Sequence, residues 1–286
     1  MIRFHEDAAI FREAVSITQV RTGLAALLIE KDYFCSLLLE YLTVAEAALI
    51  FRGGTCLAKV YTEFYRLSED LDFVIPMAVG APRAERSKRT VGLKKAVAAL
   101  TQQLPVFHTI QPLTGANSST QYIAIIGYTS LLSGRKDSIK IEVGLREPLL
   151  TPALAGLAKT VMLDPVSGKP LVKPALLRCI SRKEAFAEKF RAALSRREVA
   201  IRDFYDLDYA ARVLELRPDD TELVGLVRQK LAVPGNERVN VSEGRLAALR
   251  EQLDPQLKPV LRARDFAEFD LDRAFELVAE MAANVS

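Results

Sequence analysis

One stretch, FRGGTCLAKVYTEFYRLSEDLDFVI at residues 51–75, constrains the fold more than any other part of the chain. The apolar run AALIFR ends at Gly53-Gly54, which is typical of a buried strand that leads into a glycine turn. Thr55 can then cap a short helix. Beyond the helix, residues 67–76 alternate between apolar and polar side chains and end at a proline. The pattern therefore predicts a strand, a turn, a helix and a second strand in quick succession.

Two aspartates lie on the second of these strands. Side chains two residues apart on a strand point to the same side, so Ser68, Asp70 and Asp72 share one face and apolar residues share the other. Two carboxylates about 7 Å apart repel each other unless water or a cation compensates their charge. Such a pair suits Mg²⁺ that is bound jointly with substrate phosphates. The alternative is a solvated edge strand whose outward residues happen to be acidic.

The glycine turn is a candidate phosphate site. Main-chain N–H groups of Gly53, Gly54 and Thr55 would face an anion at the start of the helix. Lys59, one turn into the helix, and Arg66, on the face of Asp70, would add positive charge to the same place. The turn and the paired carboxylates together indicate a triphosphate site more strongly than either does alone.

A third carboxylate comes from SIKIEVGL at residues 138–145. Lys140 and Glu142 share one face of this predicted strand, and the apolar residues share the other. If the strand lies beside residues 69–75, Glu142 completes a triad that can hold two Mg²⁺ ions for displacement at phosphorus. The alternative is an ordinary exposed Lys/Glu pattern.

Basic and acidic side chains also alternate on the predicted helices of residues 186–212. Asp203 lies between Arg202 and an aromatic pair, which suits either a fixed ion pair or the positioning of a phosphate-binding lysine. Asp206 follows three residues later, on a neighbouring face of the helix. A solvated helical surface would explain most of these charges.

The coarse pattern along the chain predicts an α+β protein. A helical layer over residues 6–50 precedes a mixed sheet over 47–173, which includes a hairpin of 121–128 with 138–145. Prolines punctuate the segment from 148 to 174, and helical periodicity is expected from there to the end. We expect a sheet domain at residues 1–173 and a helical lobe at 174–286.

Composition narrows the class further. Of the 286 residues, 50% are hydrophobic and 26% charged, which is typical of a globular protein. The three cysteines lack the spacing of a zinc site or a disulfide framework. We expect no signal peptide and no membrane span, because charged residues interrupt every long apolar run, and hence a cytoplasmic protein. Residues 83–95 carry six basic side chains and one Glu, a pattern that suits either an RNA backbone or a solvated surface.

The motifs FRGGTCLAKVY, RLSEDLDFVI, IKIEV, EKF and IRDFYDLDY, with IEKDYF upstream of them, resemble in order and spacing those of the AbiEii-type nucleotidyltransferase toxins. These toxins belong to the DNA polymerase β-like nucleotidyltransferase superfamily. The resemblance implies a nucleotidyltransferase core with a mixed sheet, an N-terminal helical layer and a C-terminal helical bundle. It also implies a cognate antitoxin partner, which in this family is often a winged-helix protein.

The resemblance implies that the enzyme transfers a nucleoside monophosphate from NTP to an acceptor, with the 3′ acceptor end of tRNA as the expected target and a block of translation as the result. Asp70, Asp72, Lys189 and Asp203 are the expected catalytic residues. Asp70, Asp72 and Glu142 are the expected ligands of Mg²⁺ or Mn²⁺. The expected contacts to the NTP phosphates are Gly53, Gly54, Thr55, Lys59, Arg66 and Ser68. The alternatives are an acceptor hydroxyl on a protein or small molecule, and a non-catalytic module that binds nucleotide or RNA.

Overall fold

A mixed sheet of seven strands forms the centre of the first of two units in the computed structural model, which describes residues 3–286. The first unit ends at Ile180 and the second begins at Ser181. The boundary expected from the sequence, after residue 173, precedes the last strand of this sheet. The strands in chain order are β1 (Ile50–Arg52), β2 (Leu71–Val74), β3 (Phe107–Ala116), β4 (Gln121–Thr129), β5 (Lys136–Gly144), β6 (Leu154–Ala158) and β7 (Ala175–Cys179).

The sheet has the strand order β3-β4-β5-β2-β1-β7-β6. Strands β2 and β5 run parallel, as do β1 and β7, and the remaining neighbours are antiparallel. The hairpin predicted around residues 131–137 is present as β4 and β5. Its inward residues Ile139, Ile141 and Val143 are fully buried, which is the reason the alternation is so regular.

Helices of the first unit cover the sheet and include the predicted N-terminal layer. They are α1 (Ala8–Thr22), α2 (Ala26–Ala45), α3 (Gly53–Cys56), α4 (Arg83–Arg89) and α5 (Val91–Gln103). The Asp7 carboxylate caps α1 by accepting from two main-chain N–H groups, and Gly23 ends the helix in the left-handed region at φ 73°. An aromatic cluster centred on Phe34 joins this layer to the sheet, because the Phe34 ring packs on Tyr128 with centroids 4.4 Å apart.

Two local predictions for the first unit are wrong. Helix α3 begins at Gly53, ahead of Thr55, so Thr55 does not cap it, and a π-helical turn at Leu57–Tyr61 follows. The segment from residue 175 begins with strand β7 rather than a helix. Strand β7 is short and pairs with β1 in parallel, so its identity depends on a distant partner that local periodicity does not reveal.

The second unit is helical, as predicted for the C-terminal bundle. Its helices are α6 (Arg182–Ser195), α7 (Ile201–Val213), α8 (Thr221–Leu231), α9 (Glu243–Arg250), α10 (Ala263–Glu268) and α11 (Leu271–Val285). Three N-caps are side-chain caps, at Ser181, Asp220 and Asp270. Within residues 3–286, no helix combines the length and apolar character needed to cross a membrane.

Candidate active site

Three carboxylates meet where β2 pairs with β5. Asp72 on β2 lies directly opposite Glu142 on β5 and directly opposite Arg52 on β1. Residues paired across strands project from the same face of a sheet. The sheet therefore places Glu142 beside Asp72. This is the strand pairing that the predicted carboxylate triad requires.

Asp70 lies one residue before β2 begins, so it belongs to the segment that leads into the strand rather than to the strand itself. Its carboxylate is 3.7 Å from the Lys140 ammonium, which is also 3.2 Å from the Glu142 carboxylate. Lys140 thus joins Asp70 to Glu142. Asp72 and Glu142 do not lie on edge strands, because β2 and β5 are each paired on both sides.

Electrostatics distinguish two of the three acids. Burial, followed by the neighbouring charges of Glu142 and Asp70, raises the pKa of Asp72 to about 6, against the opposing effects of Arg52 and Lys140. Burial also acts to raise the pKa of Glu142, but Lys140, a hydrogen bond from Gln121 and the charge of Arg52 outweigh it and leave that pKa below its ordinary value. In the metal-free protein Asp72 therefore holds a proton more readily than Glu142 does.

Three side chains of the site lie close to the two adjacent glycines. A Cβ on Gly53, whose φ is +75°, would lie 2.9 Å from the Cβ of Asp72. A Cβ on Gly54 would lie 2.5 Å from the Arg66 guanidinium and 3.2 Å from the Ser68 hydroxyl. Backbone and contact together therefore require glycine at Gly53, and a side chain at Gly54 would have to displace the Arg66 guanidinium.

Four of the predicted phosphate-binding residues lie together at this turn, and a fifth, Thr55, stabilises the structure beside it. Ser68 and Arg66 lie against Gly54, next to Gly53. The buried Thr55 hydroxyl donates a 2.5 Å hydrogen bond to the main-chain carbonyl of Asp70, so this side chain fixes the start of β2 against α3. Arg66 is only 2% exposed, and its guanidinium also donates to the Leu67 carbonyl.

Lys59 is the predicted phosphate-binding residue that the structure does not bring to the turn. Its side chain is 1% exposed, and its ammonium pairs with the Asp32 carboxylate of α2 at 2.6 Å. The ammonium also donates to the Ser36 hydroxyl at 2.9 Å. The other Asp32 oxygen accepts from the Val161 N–H at 3.0 Å. The prediction that Lys59 cradles phosphate is therefore corrected: the π-helical turn directs its side chain into the interior.

Lys189 and Asp203 belong to the second unit and form a buried cluster there. The Lys189 ammonium on α6 lies 2.7 Å from Asp203 and 2.7 Å from Asp206, both on α7. Asp206 is fully buried, and Asp203 accepts a second contact from Arg196 at 3.2 Å. The ion pair that the sequence suggested for Asp203 is present, and its partner is Lys189.

The sequence left three residues of these clusters without a role. Arg52 stands directly before the glycines and faces Asp72, and its guanidinium is 2.9 Å from the position that a Gly144 Cβ would occupy. Asp206 shares Lys189 with Asp203. Lys140 shares a face with Glu142, but its reach to Asp70 depends on the β2–β5 pairing, which local sequence does not encode.

The donor set fits a divalent cation that arrives with its substrate. Within residues 3–286, no three carboxylate, His or Cys side chains already converge in a metal-binding cluster. Mg²⁺ needs only one or two protein carboxylates when substrate phosphates and water supply the other oxygens. Asp70 and Asp72, with Glu142 on the neighbouring strand, offer oxygen ligands of this kind.

Solved structures with a similar fold are known. The chain is similar in fold to JHP933 from Helicobacter pylori, at 15% identity over 92% of this chain and 93% of that chain, with a TM-score of 0.52. It also matches MenT4, a nucleotidyltransferase toxin from Mycobacterium tuberculosis H37Rv, at 19% identity over 95% of this chain and 99% of that chain, with a TM-score of 0.48.

Comparison with curated protein sequences gave no match. The family profile described as nucleotidyl transferase AbiEii toxin, type IV TA system, matches residues 37–280, which include the glycine turn, the three carboxylates and the Lys189 cluster. The chain therefore belongs to the AbiEii nucleotidyltransferase toxin family of type IV toxin–antitoxin systems.

Proposed function

We propose that this nucleotidyltransferase toxin transfers a nucleoside monophosphate from NTP to the 3′ acceptor end of tRNA and thereby blocks translation. The observation that carries the proposal is the pairing of Asp72 with Glu142 beside the Gly53-Gly54 turn, with Asp70 linked to Glu142 through Lys140. Acidic metal ligands next to a close-packed glycine turn are the groups needed to hold a metal-bound triphosphate.

The turn is the proposed phosphate site. The first N–H groups of a helix lack intrahelical partners, so those of Gly53 and Gly54 are suited to phosphate oxygens. The Ser68 hydroxyl and the Arg66 guanidinium stand beside Gly54 and would contribute a donor and a positive charge. Thr55 acts by positioning: its bond to the Asp70 carbonyl holds the carboxylate segment in register with the turn.

Asp70 and Asp72, with Glu142, would hold Mg²⁺ or Mn²⁺. When bound with the nucleotide, this cation supplies charge neutralisation at the phosphates as pyrophosphate leaves. The chain's own acids must be ionised for this role, and Arg52 and Lys140 both favour the ionised form of Asp72. The metal requirement of transfer is thus part of the proposal.

Lys189 and Asp203 are proposed to act in transfer as well. An ammonium is suited to stabilising negative charge at phosphate, and it must be oriented to do so. The two carboxylates at 2.7 Å fix the position of the Lys189 ammonium, which makes Asp203 and Asp206 positioning residues for it.

A basic surface on α4 and α5 supports RNA as the acceptor. Exposed basic side chains there are Arg83, Lys88, Arg89 and Lys95. Contacts of this kind to RNA phosphates provide affinity without sequence preference. Arg86 does not belong to this surface, because its buried guanidinium contacts the carbonyls of Ala81 and Ser118. We further propose that the antitoxin of this type IV system is a winged-helix protein.

The test is one set of incubations of the purified protein with Mg²⁺ and each α-labelled NTP in turn, with total RNA, protein extract or no acceptor. We expect label in RNA of tRNA size, lost on treatment that removes the 3′ terminal nucleotide. Asp72→Asn should abolish the label while the melting temperature stays near that of the wild type. Asp254→Asn, an exposed aspartate of the second unit, is the matched control.

Other outcomes separate the alternatives. Label on protein or on a small molecule would show that the enzyme is a nucleotidyltransferase with that acceptor instead of tRNA. Binding of NTP with no transfer to any acceptor would point to the non-catalytic binding module. Omission of divalent cation, with chelator present, should stop transfer, and undiminished transfer would overturn the proposed metal role.

A further inference from the structure

We propose that the Lys140 ammonium is the counter-ion of Asp70 and Glu142 in the metal-free protein. When a metal-bound nucleotide binds, the ammonium moves from these carboxylates to the triphosphate. The inference rests on the proposed function, because it requires the carboxylates to receive a divalent cation. It assigns a role to a residue that lies within the IKIEV motif but is not one of the expected metal ligands or phosphate contacts.

Geometry supports the first half of this role. The Lys140 ammonium is 3.2 Å from Glu142 and 3.7 Å from Asp70, so one cation spans two of the three proposed metal ligands. A divalent cation that uses these same oxygens must compete with the ammonium. The divalent cation therefore replaces the ammonium at the carboxylates, so their negative charge has a positive partner both before and after metal binding.

Charge balance explains why a counter-cation is needed. Asp70, Asp72 and Glu142 carry three negative charges when ionised, and Arg52 and Lys140 carry two positive charges, which leaves the group at −1. Without Lys140 the balance would be −2. Like charges held this close strongly disfavour one another, so the ammonium stabilises the metal-free arrangement.

Exposure distinguishes Lys140 from Lys59, the lysine that follows the glycine turn in sequence. Its side chain is 40% exposed, whereas that of Lys59 is 1% exposed and held by Asp32. A lysine stem is flexible and its ammonium is stabilised by water, so an exposed lysine can move from carboxylate to phosphate without burial of an unpaired charge. Arg52 is unsuited to this movement, because its guanidinium packs against Gly144.

The experiment measures two affinities in opposite directions for Lys140→Met. The first is the affinity for Mn²⁺ alone, measured by titration calorimetry at low salt. Loss of the competing ammonium should tighten it about tenfold, the size expected for two partly exposed ion pairs. The second is binding of a non-reactive NTP analogue with Mg²⁺ present, which should weaken about tenfold because a phosphate partner is lost.

Lys136→Met is the matched control, since Lys136 is exposed on the same face of β5 and the change in net charge is identical. Both affinities should be unchanged in it. Lys140→Arg, which keeps the charge, should bind Mn²⁺ as the wild type does. Lys140→Gln repeats the test if the Met variant melts at a lower temperature.

Two results would overturn the inference and are distinguishable. Equal or weaker Mn²⁺ binding by Lys140→Met, with wild-type binding that Asp72→Asn removes, would reject the counter-cation and leave the metal site in place. Absence of Mn²⁺ binding from both the wild type and Lys140→Met at millimolar metal, with the NTP analogue present as well as without it, would reject the counter-cation and the proposed metal site together.

Discussion

At the scale of single residues, the glycine turn shows how side chains far along the sequence determine what a position tolerates. Gly53 combines a left-handed backbone with contact against Asp72. Gly80 has almost the same backbone, at φ +77°, but nothing lies within 4 Å of the position of its Cβ. The two glycines therefore separate backbone strain from contact with the site.

We predict that Gly53→Ala and Gly80→Ala each lose about 1 kcal/mol of stability from the backbone alone. Gly53→Ala should lose a further amount of about 1–3 kcal/mol because the new methyl group displaces Asp72, and nucleotidyl transfer should fall with it. Denaturant unfolding and the transfer assay check both variants. Equal losses in the two variants would contradict the contact with Asp72.

The raised pKa of Asp72 predicts how the stability of the metal-free protein depends on pH. The folded pKa of about 6 lies above the unfolded value of 3.8, so the folded protein binds the proton more tightly and the Asp72 contribution to stability falls as pH rises between these values. Between pH 5 and pH 7.5, the free energy of unfolding of the wild type should fall by about 1 kcal/mol more than that of Asp72→Asn. Denaturant unfolding with chelator at the two pH values measures this difference, and parallel curves would contradict it.

At the scale of elements, the buried Lys59–Asp32 pair joins the π-helical turn behind the glycines to α2. We predict that Lys59→Met destabilises the protein by about 3–5 kcal/mol, because Asp32 would keep a buried charge without its partner. The double variant Lys59→Met/Asp32→Leu should be less destabilised than the single one. Denaturant unfolding tests both, and a loss below about 1 kcal/mol in the single variant would show that the pair is not needed.

The α6–α7 cluster requires care in testing Lys189, because its removal leaves Asp203 and Asp206 buried together. We predict that Lys189→Met loses both stability and transfer, and that Lys189→Met/Asp206→Asn regains part of the stability but none of the transfer. Thermal unfolding and the transfer assay separate the two effects. Transfer that returns with stability would mean that Lys189 serves the fold alone.

At the scale of the whole molecule, a net charge of +3 says little by itself, and its uneven placement says more. We predict that Arg83→Glu/Lys88→Glu/Arg89→Glu weakens tRNA binding more than tenfold at low salt and lowers the salt dependence by about 2 in log–log slope. The control is an equal charge reversal at exposed positions of the second unit, Arg197, Arg217 and Lys258. Equal effects of the two triple variants would contradict a defined RNA surface.

Local pattern was sufficient for the elements whose signal is short-range. The hairpin of β4 and β5 and the N-terminal helical layer follow from alternation or helical spacing. Strand β3, strand β6 and strand β7 were missed. Strand β3 carries mostly exposed residues, and β7 is recognisable only through its parallel pairing with β1.

The sequence by itself determined the family, the α+β class, and the paired carboxylates beside a glycine turn, because these depend on order and spacing along the chain. Only the tertiary structure decided which cations serve the carboxylates. Lys59 is near the turn in sequence, yet its ammonium is buried against Asp32, whereas Lys140 is distant in sequence and contacts Asp70. The physical reason is that strand pairing and helix type set the direction of a side chain, and both depend on partners that lie far away along the chain.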